Sequence, residues 1–213
     1  QANYLEVELE APPADLPLRL LCTRRTRLNH RGAAVHVGDR VSVEAIDREH
    51  ARAVVADVEP RSSFLIRPPV ANASCILVAV AVEQPAFDAD QVSRFLLTAE
   101  KTGLQVLLVL TKCDLLDADA LSRLRHRLQG WGYEPTLVST QSGMGLEQLR
   151  AQLATVPITV LCGPSGVGKS SLLNGLLPGL ALRVGEVSGR LQRGRHTTRH
   201  VELHAFSPGS RVA

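Results

Sequence analysis

Two hydrophobic rhythms divide this chain of 213 residues. From Tyr4 to Leu9 apolar and polar side chains alternate with period two, as a half-buried strand requires. Pro12, Pro13 and Pro17 interrupt the alternation, and Leu18 to Thr23 resumes it. Val35 to Val43 predicts two strand pieces around a Gly38-Asp39 turn, and Ala51 to Val58 predicts another strand that Glu59-Pro60 ends. Short strands at this spacing, with no helical period between them, predict an all-β barrel of the OB-fold type over residues 1–67. Arg61 to Asn72 holds Arg67-Pro68-Pro69 and reads as an extended linker, because each proline keeps its predecessor out of the helical region.

From residue 68 onward the rhythm changes. Cys75 to Val82 is a continuous apolar run, the pattern of a strand buried on both faces. Asp88 can cap a helix that runs to Thr102, with Val92, Phe95, Leu96 and Ala99 at helical spacing and Gly103 as its stop. Gln105 to Leu110 is a second buried strand, and Asp117 opens a second helix with Leu121, Leu124 and Leu128 on one face and Gly130 at its end. A third strand is expected over Pro135–Val138, a third helix over Leu146–Leu153, and a fourth strand over Ile158–Cys162. At the end, Ser207-Pro208-Gly209 predicts a hairpin turn between Val201–Phe206 and Arg211–Ala213. Repeated β–α units predict an α/β domain over 68–213 with a mostly parallel sheet, helices on both faces and ligands at the carboxyl ends of its strands.

Composition narrows this picture in four ways. A hydrophobic content of 45% supports a core, and 3% aromatic content makes that core Leu, Val and Ala. No apolar run approaches the roughly 18 residues of a membrane span, so no membrane partner is expected. Cys22, Cys75, Cys113 and Cys162 are dispersed without a C-x-x-C pair, which reads as apolar fillers in a reducing cytoplasm and not as a metal site. The net charge of +3 is uneven, because the stretch after Thr155 carries seven Lys or Arg against two Glu. That end suits a polyanionic ligand.

The chemistry lies on strand ends. After the strand at Ile158 comes Gly163-Pro164-Ser165-Gly166-Val167-Gly168-Lys169-Ser170-Ser171, which fits the phosphate-loop pattern G-x-x-x-x-G-K-[ST]. Glycines let backbone N–H groups curl around phosphate oxygens, and the following helix N-terminus adds partial positive charge. Lys169 would reach the β- and γ-phosphates and Ser170 would ligate Mg²⁺. After the strand at Gln105 comes Thr111-Lys112-Cys113-Asp114, a variant of Asn-Lys-x-Asp. A carboxylate at Asp114 can accept from guanine N1–H and N2–H₂, donors that adenine lacks in that geometry. The Lys112 stem would lie along the base, and Thr111 would tie this loop to the phosphate loop. After the strand at Pro135 comes Ser139-Thr140-Gln141-Ser142-Gly143, where backbone N–H groups near Ser139 and Thr140 would meet guanine O6. Taken singly, the second loop could be an exposed turn with a helix cap, and the third a Ser/Gly cap for the helix at Leu146. Among the N-terminal strands, Arg24, Arg25, Arg27 and Arg31 cluster with no acid between Asp15 and Asp39. They read as an RNA-binding loop that contacts phosphates, with a solvated loop as the alternative.

Both guanine loops precede the phosphate loop, the reverse of the ordinary order. With the barrel, its Gly-Asp-Arg-Val turn, Arg67-Pro68-Pro69-Val70-Ala71-Asn72 and Gly194-Arg195-His196-Thr197-Thr198-Arg199, the chain resembles the circularly permuted GTPases, most closely the small-ribosomal-subunit biogenesis (RsgA) family. The resemblance implies an OB-fold followed by a permuted P-loop GTPase domain, GTP and GDP with Mg²⁺, the small ribosomal subunit and its rRNA as partners, and a cytoplasmic monomer. It also implies that Thr197 or Thr198 meets Mg²⁺ and the γ-phosphate, and that His196 orients the attacking water while Lys169 absorbs charge. The family's Asp-x-x-Gly motif does not occur by Ala213, and its C-terminal zinc domain has no counterpart here. The chain therefore reads as truncated before that motif, with no cysteine expected to bind zinc and with its own hydrolysis left open. Two other readings remain. The phosphate loop also resembles that of P-loop nucleoside kinases, which place it near the N-terminus, and an RNA-binding assembly scaffold could carry a nucleotide-binding but inactive site.

Overall fold

The computed structural model describes residues 4–25, 34–177, 179–182 and 201–213. The chain divides into two compact units, Gln1–Asn72 and Ala73–Ala213.

In the first unit the predicted alternation becomes β1 (Leu5–Glu8), β2 (Arg19–Arg24), β3 (Val41–Asp47) and β4 (Arg52–Val58), in the sheet order β1-β2-β4-β3. β2 buries Leu20 and Cys22 and exposes Arg19 and Leu21, the period-two pattern in three dimensions. Those two residues pack with Leu16, Ala53 and Val55, and Leu5, Val7, Val41 and Val43 close around them. Register shifts in β3 beside Ser42 and Glu44 add the twist that an OB-type sheet needs in order to curl.

Two expectations change here. Only the second of the pieces predicted around Gly38-Asp39 is a strand, and Val37 makes a single bridge to Val70. The stretch expected to be a linker is a hairpin, β5 (Phe64–Ile66) paired with β6 (Pro69–Ala71). Prolines do hold it extended, but an extended segment can pair as well as link. Pro69 opens its strand, where a missing N–H costs least. The hairpin keeps the first unit going to Asn72, beyond the boundary expected at residue 68.

The Gly-Asp turn is held by a fork. Arg61 donates from Nε to Asp39 Oδ1 at 2.7 Å and from Nη2 to Asp39 Oδ2 at 2.8 Å, while the His36 N–H reaches the same carboxylate at 2.8 Å. The Asp39 side chain is only 1% exposed. This hydrogen-bonded partner also raises the Arg61 pKa above its ordinary value.

The second unit follows the predicted β–α order. Its elements are β7 (Cys75–Ala81), α1 (Ala89–Glu100), β8 (Gln105–Thr111), α2 (Ala118–Gln129), β9 (Thr136–Leu137), α3 (Leu146–Ala154), β10 (Ile158–Cys162), α4 (Lys169–Leu176), β11 (His204–Ser207) and β12 (Ser210–Val212). The sheet order is β11-β12-β10-β7-β8-β9, parallel except for β11. All seven residues of β7 are buried, as a central strand demands. Asp88 accepts from the N–H groups of Asp90 and Gln91, and Asp117 from that of Ala120, so both predicted caps form. β9 is shorter than expected, since Pro135 has no N–H to give, although Val138 still donates to Leu110 O at 2.8 Å. The predicted final hairpin forms, turning at Pro208-Gly209.

Leu77, Ala79 and Ala81 share one core with Leu149 and Leu153 of α3 and Leu172 and Leu176 of α4. The alternate residues of β7 point to the other face, where Val92, Leu96 and Ala99 of α1 and Leu128 of α2 are buried. This layering leaves the carboxyl ends of β7, β8, β9 and β10 side by side.

Two outcomes are expected of this fold. Removing the Asp39 carboxylate takes two hydrogen bonds from Arg61, which keeps Ala34 O, and one from the His36 N–H. Asp39→Ala should therefore lower the unfolding free energy by about 2–4 kcal/mol in urea titrations. An unchanged midpoint would remove the fork from the stabilising contacts. Burial pushes the thiols of Cys75, Cys113 and Cys162 up to about 11 from an ordinary value of 9.0. Between those values the unfolded chain loses thiol protons that the folded chain keeps, so stability falls as pH rises. Each thiol should remove up to about 1.4 kcal/mol per pH unit in that window. Urea midpoints at pH 8.5 and 10.5 should converge when the three cysteines are changed to Ala.

Candidate functional site

The loop from Gly163 to Gly168 joins β10 to α4. Gly163 has φ +145°, and a Cβ there would collide with the carbonyl oxygen of Ala79 on β7, so no other residue allows this close approach. Pro164 and Val167 are buried and pin the loop, whereas Ser165 and Gly166 are exposed at its crest. Lys169, the first residue of α4, turns back and donates from Nζ to Gly163 O at 2.9 Å and to Pro164 O at 2.7 Å. Ser170 follows, 8% exposed, and Ser171 is half-buried behind it. The first N–H groups of α4 have no intrahelical acceptor, so this helix end favours anions.

The loop after β8 is fastened to the phosphate loop. Thr111 is buried, with Oγ1 2.6 Å from Val167 O and 3.2 Å from Val80 O. A hydroxyl carries one hydrogen, and the shorter contact takes it, which is the tie expected of this threonine. Lys112, at φ +58°, donates to Gly166 O at 2.9 Å and to Gln84 O. Cys113 points inward instead. Its thiol donates to Leu110 O at 3.2 Å and its N–H to Val138 O at 3.2 Å, so its side chain braces the loop from below and faces no ligand. Asp114 is exposed, and its Oδ1 accepts from Ser139 Oγ at 2.5 Å.

The loop after β9 completes the set. Ser139 is fully buried, and its hydroxyl accepts from the Ser142 N–H at 3.2 Å while donating to Asp114. Its carbonyl accepts from Gly143 N at 2.9 Å and its N–H donates to Met144 O at 3.0 Å, which coils the loop tightly and leaves Thr140 exposed. Gly145 has φ +72° and a Cβ there would strike Leu137 O, so this glycine lets the loop return onto its own strand. Three loops predicted separately thus meet. An acceptor-only carboxylate, a lysine and a helix N-terminus lie along adjacent strand ends, an arrangement suited to a base at one end and phosphates at the other.

One participant carried no sequence signal. The carbonyl of Gln84, on the loop after β7, receives the Lys112 ammonium together with Gly166 O. Any residue has a carbonyl, so only the strand order, with β7 between β8 and β10, could have pointed to it.

The arginine cluster resolves in part. Arg25 pairs with Glu44 at 3.0 Å, and Arg24 has a buried Nε without a hydrogen-bond partner among the described residues. Arg27 and Arg31 lie outside the described residues, as do His196, Thr197 and Thr198. Among the described residues no three His, Cys, Asp or Glu side chains converge as a metal-binding group, and no helix is long and apolar enough to cross a membrane. Mg²⁺ needs few protein ligands beside phosphate oxygens and water, and the Ser170 hydroxyl at the head of α4 fits that role.

A family profile described as RsgA GTPase matches residues 58–213. The chain is 72% identical over 213 residues to the small ribosomal subunit biogenesis GTPase RsgA of Synechococcus sp. (strain CC9311), covering 100% of this chain and 70% of that protein. It is similar to the crystal structure of YjeQ from Thermotoga maritima, with a TM-score of 0.75 and 34% identity over 91% of this chain and 65% of that one. It is also similar to YloQ, a circularly permuted GTPase, with a TM-score of 0.73 and 27% identity over 98% of this chain and 66% of that one. The chain thus spans about two thirds of the length of these solved relatives. Loop order, backbone and sequence lead to one assignment, that this chain belongs to the RsgA GTPase family.

Proposed function

We propose that this chain binds guanine nucleotides, hydrolyses GTP with Mg²⁺ and serves the biogenesis of the small ribosomal subunit. The observation that carries the reading is the junction of the three loops, where Thr111 and Lys112 hold the phosphate loop while the neighbouring Asp114 is oriented by Ser139. A nucleotide spanning that junction would place guanine N1–H and N2–H₂ on Asp114, O6 near the N–H groups around Ser139 and Thr140, and its phosphates on Gly163–Ser171. Specificity follows from chemistry, because adenine would leave the carboxylate without its two donors.

In hydrolysis the chain's own work is positioning and charge. Lys169 would move from its two carbonyls onto the β- and γ-phosphate oxygens, and the N–H groups of the loop would hold them while water attacks in line. Ser170, with Thr197 or Thr198, would hold Mg²⁺, which would supply charge neutralisation at the phosphates. His196 is assigned to orient the water. The first unit is assigned to rRNA through Arg24, Arg25, Arg27 and Arg31, and the protein to the cytoplasm as a monomer. An RNA-binding scaffold would not need the Ser139–Asp114 bond, and a nucleoside kinase would place its phosphate loop ahead of a base-reading loop, not after Thr111–Asp114.

Two measurements test this reading. Asp114→Asn should weaken GDP binding by about 100-fold, the loss of two charge-assisted hydrogen bonds, while leaving the fold intact. Equal wild-type affinity for ADP and GDP would overturn the guanine assignment. Changing Arg24, Arg25 and Arg27 together to Ala should weaken binding to the small ribosomal subunit and flatten its salt dependence by about one unit of slope per lost phosphate contact. An unchanged slope would take these arginines out of the interface.

A further inference from the structure

A contact behind the nucleotide loops joins the two helices that follow them. α3 begins where the Ser139–Gly145 loop ends, and α4 begins at Lys169 and Ser170. Both helices pack on the same face of the sheet. One turn along α3, Arg150 spreads its guanidinium over the opposite end of α4. Nε donates to Leu176 O at 3.1 Å, Nη2 donates to Gly175 O at 2.5 Å, and Nη1 is held by the Glu147 carboxylate. Beside it a Cβ added at Gly175 would lie 3.4 Å from both methyls of Leu146 and 3.6 Å from the Thr140 methyl. One turn of α4 is therefore gripped by the guanine-side loop, by the first residue of α3 and by Arg150.

We propose that Arg150 is a positioning residue that fixes the base-reading loop against the phosphate-loop helix and thereby sets guanine selectivity. The inference rests on the guanine-nucleotide reading of the site given above. α4 has only eight residues, too few to be stable without tertiary support, and its last carbonyls need outside donors. Arg150 supplies two of them and puts a positive charge at the negative end of the helix. Its planar fork also sets direction, since two carbonyls held by one rigid group cannot slide along the helix axis independently. A nucleotide that touches Asp114 at one end and Lys169 at the other gains affinity only if those two ends stay at a fixed separation. Arg150 would set that separation from behind, through Leu146 and Thr140, without touching the ligand. Nothing in the sequence suggests this, because Arg150 sits in an ordinary amphipathic helix and belongs to no motif.

The test compares GDP with IDP, whose hypoxanthine lacks the N2 amine read by Asp114. Arg150→Met keeps the apolar stem and removes the donors. It should raise the GDP Kd about tenfold, the loss expected for hydrogen bonds from a charged donor. It should also shrink the ratio of IDP to GDP Kd by at least about threefold, a partial loss of the hydrogen-bond discrimination on which such a site depends. Arg150→Lys keeps the charge with a single reaching group and should give a ratio between the two. Both affinities are drawn from the same folded population, so the ratio does not depend on how much of the variant is folded. A wild-type ratio in both variants, with only a lower Tm, would mean that Arg150 merely caps α4 and would overturn the inference alone. A wild-type protein with no preference for GDP over IDP and ADP would overturn the guanine reading, and this inference with it.

Discussion

A peptide unit that turns its carbonyl oxygen one way turns its N–H the other, and the loop from Gly163 to Gly168 is held by that rule. Val167 O is taken by Thr111, Gly166 O by Lys112, and Gly163 O and Pro164 O by Lys169. These carbonyls are held before a ligand arrives, and those of Gly166 and Val167 are still held when Lys169 turns to a phosphate. The loop therefore cannot rotate its peptides freely, and anion binding needs N–H groups that already face one way. The same contacts explain why the Thr111–Asp114 motif lies where it does. Thr111 and Lys112 are structural to the phosphate loop before they are anything to a base, and Asp114 is carried along beside them.

Support for that loop comes from the whole sheet. β7 provides Ala79, whose carbonyl lies against Gly163, and the loop after it provides Gln84, whose carbonyl shares the Lys112 ammonium. Its seven buried residues leave it little freedom to shift, so the central strand acts as the fixed reference for the loops on both sides. The first unit has a smaller reference of the same kind. There the Arg61–Asp39 fork immobilises one turn, and the hairpin of β5 and β6 lies beside it through the Val37–Val70 bridge.

The sequence disclosed what depends on spacing and little of what depends on adjacency. Gly163 to Ser170, Thr111 to Asp114 and Ser139 to Gly143 could be recognised because each function is confined to a few consecutive residues, and strand ends gave them a common address. Asp88 and Asp117 were legible as caps for the same reason. The β5–β6 hairpin was misread because backbone extension is all that its prolines specify, and pairing depends on a partner. Cys113 sits between Lys112 and Asp114 in the motif, and spacing alone does not show that it turns away from them. Lys112 takes φ +58° and Cys113 opens a 3-10 turn, which turns this side chain back onto Leu110 O. Gln84 and Arg150 were invisible for a further reason. A backbone carbonyl has no letter in the sequence, and an arginine on a helix is common enough that only its target at Gly175 and Leu176 gives it meaning.

The pairing of β7 with β10 has a consequence for how the domain assembles. Ser74 meets Ile158 across 84 residues of chain, whereas β7 and β8, and then β8 and β9, are joined by single helical crossovers. The entropy of closing a loop rises with its length, and non-local parallel pairs are the slow events of folding. The half of the domain that carries the Thr111–Asp114 and Ser139–Gly143 loops is therefore made of short-range steps, and the strand that feeds the phosphate loop joins by the long-range one. A nucleotide held by both halves stabilises the closure that creates its own site, so ligand and late folding are thermodynamically linked.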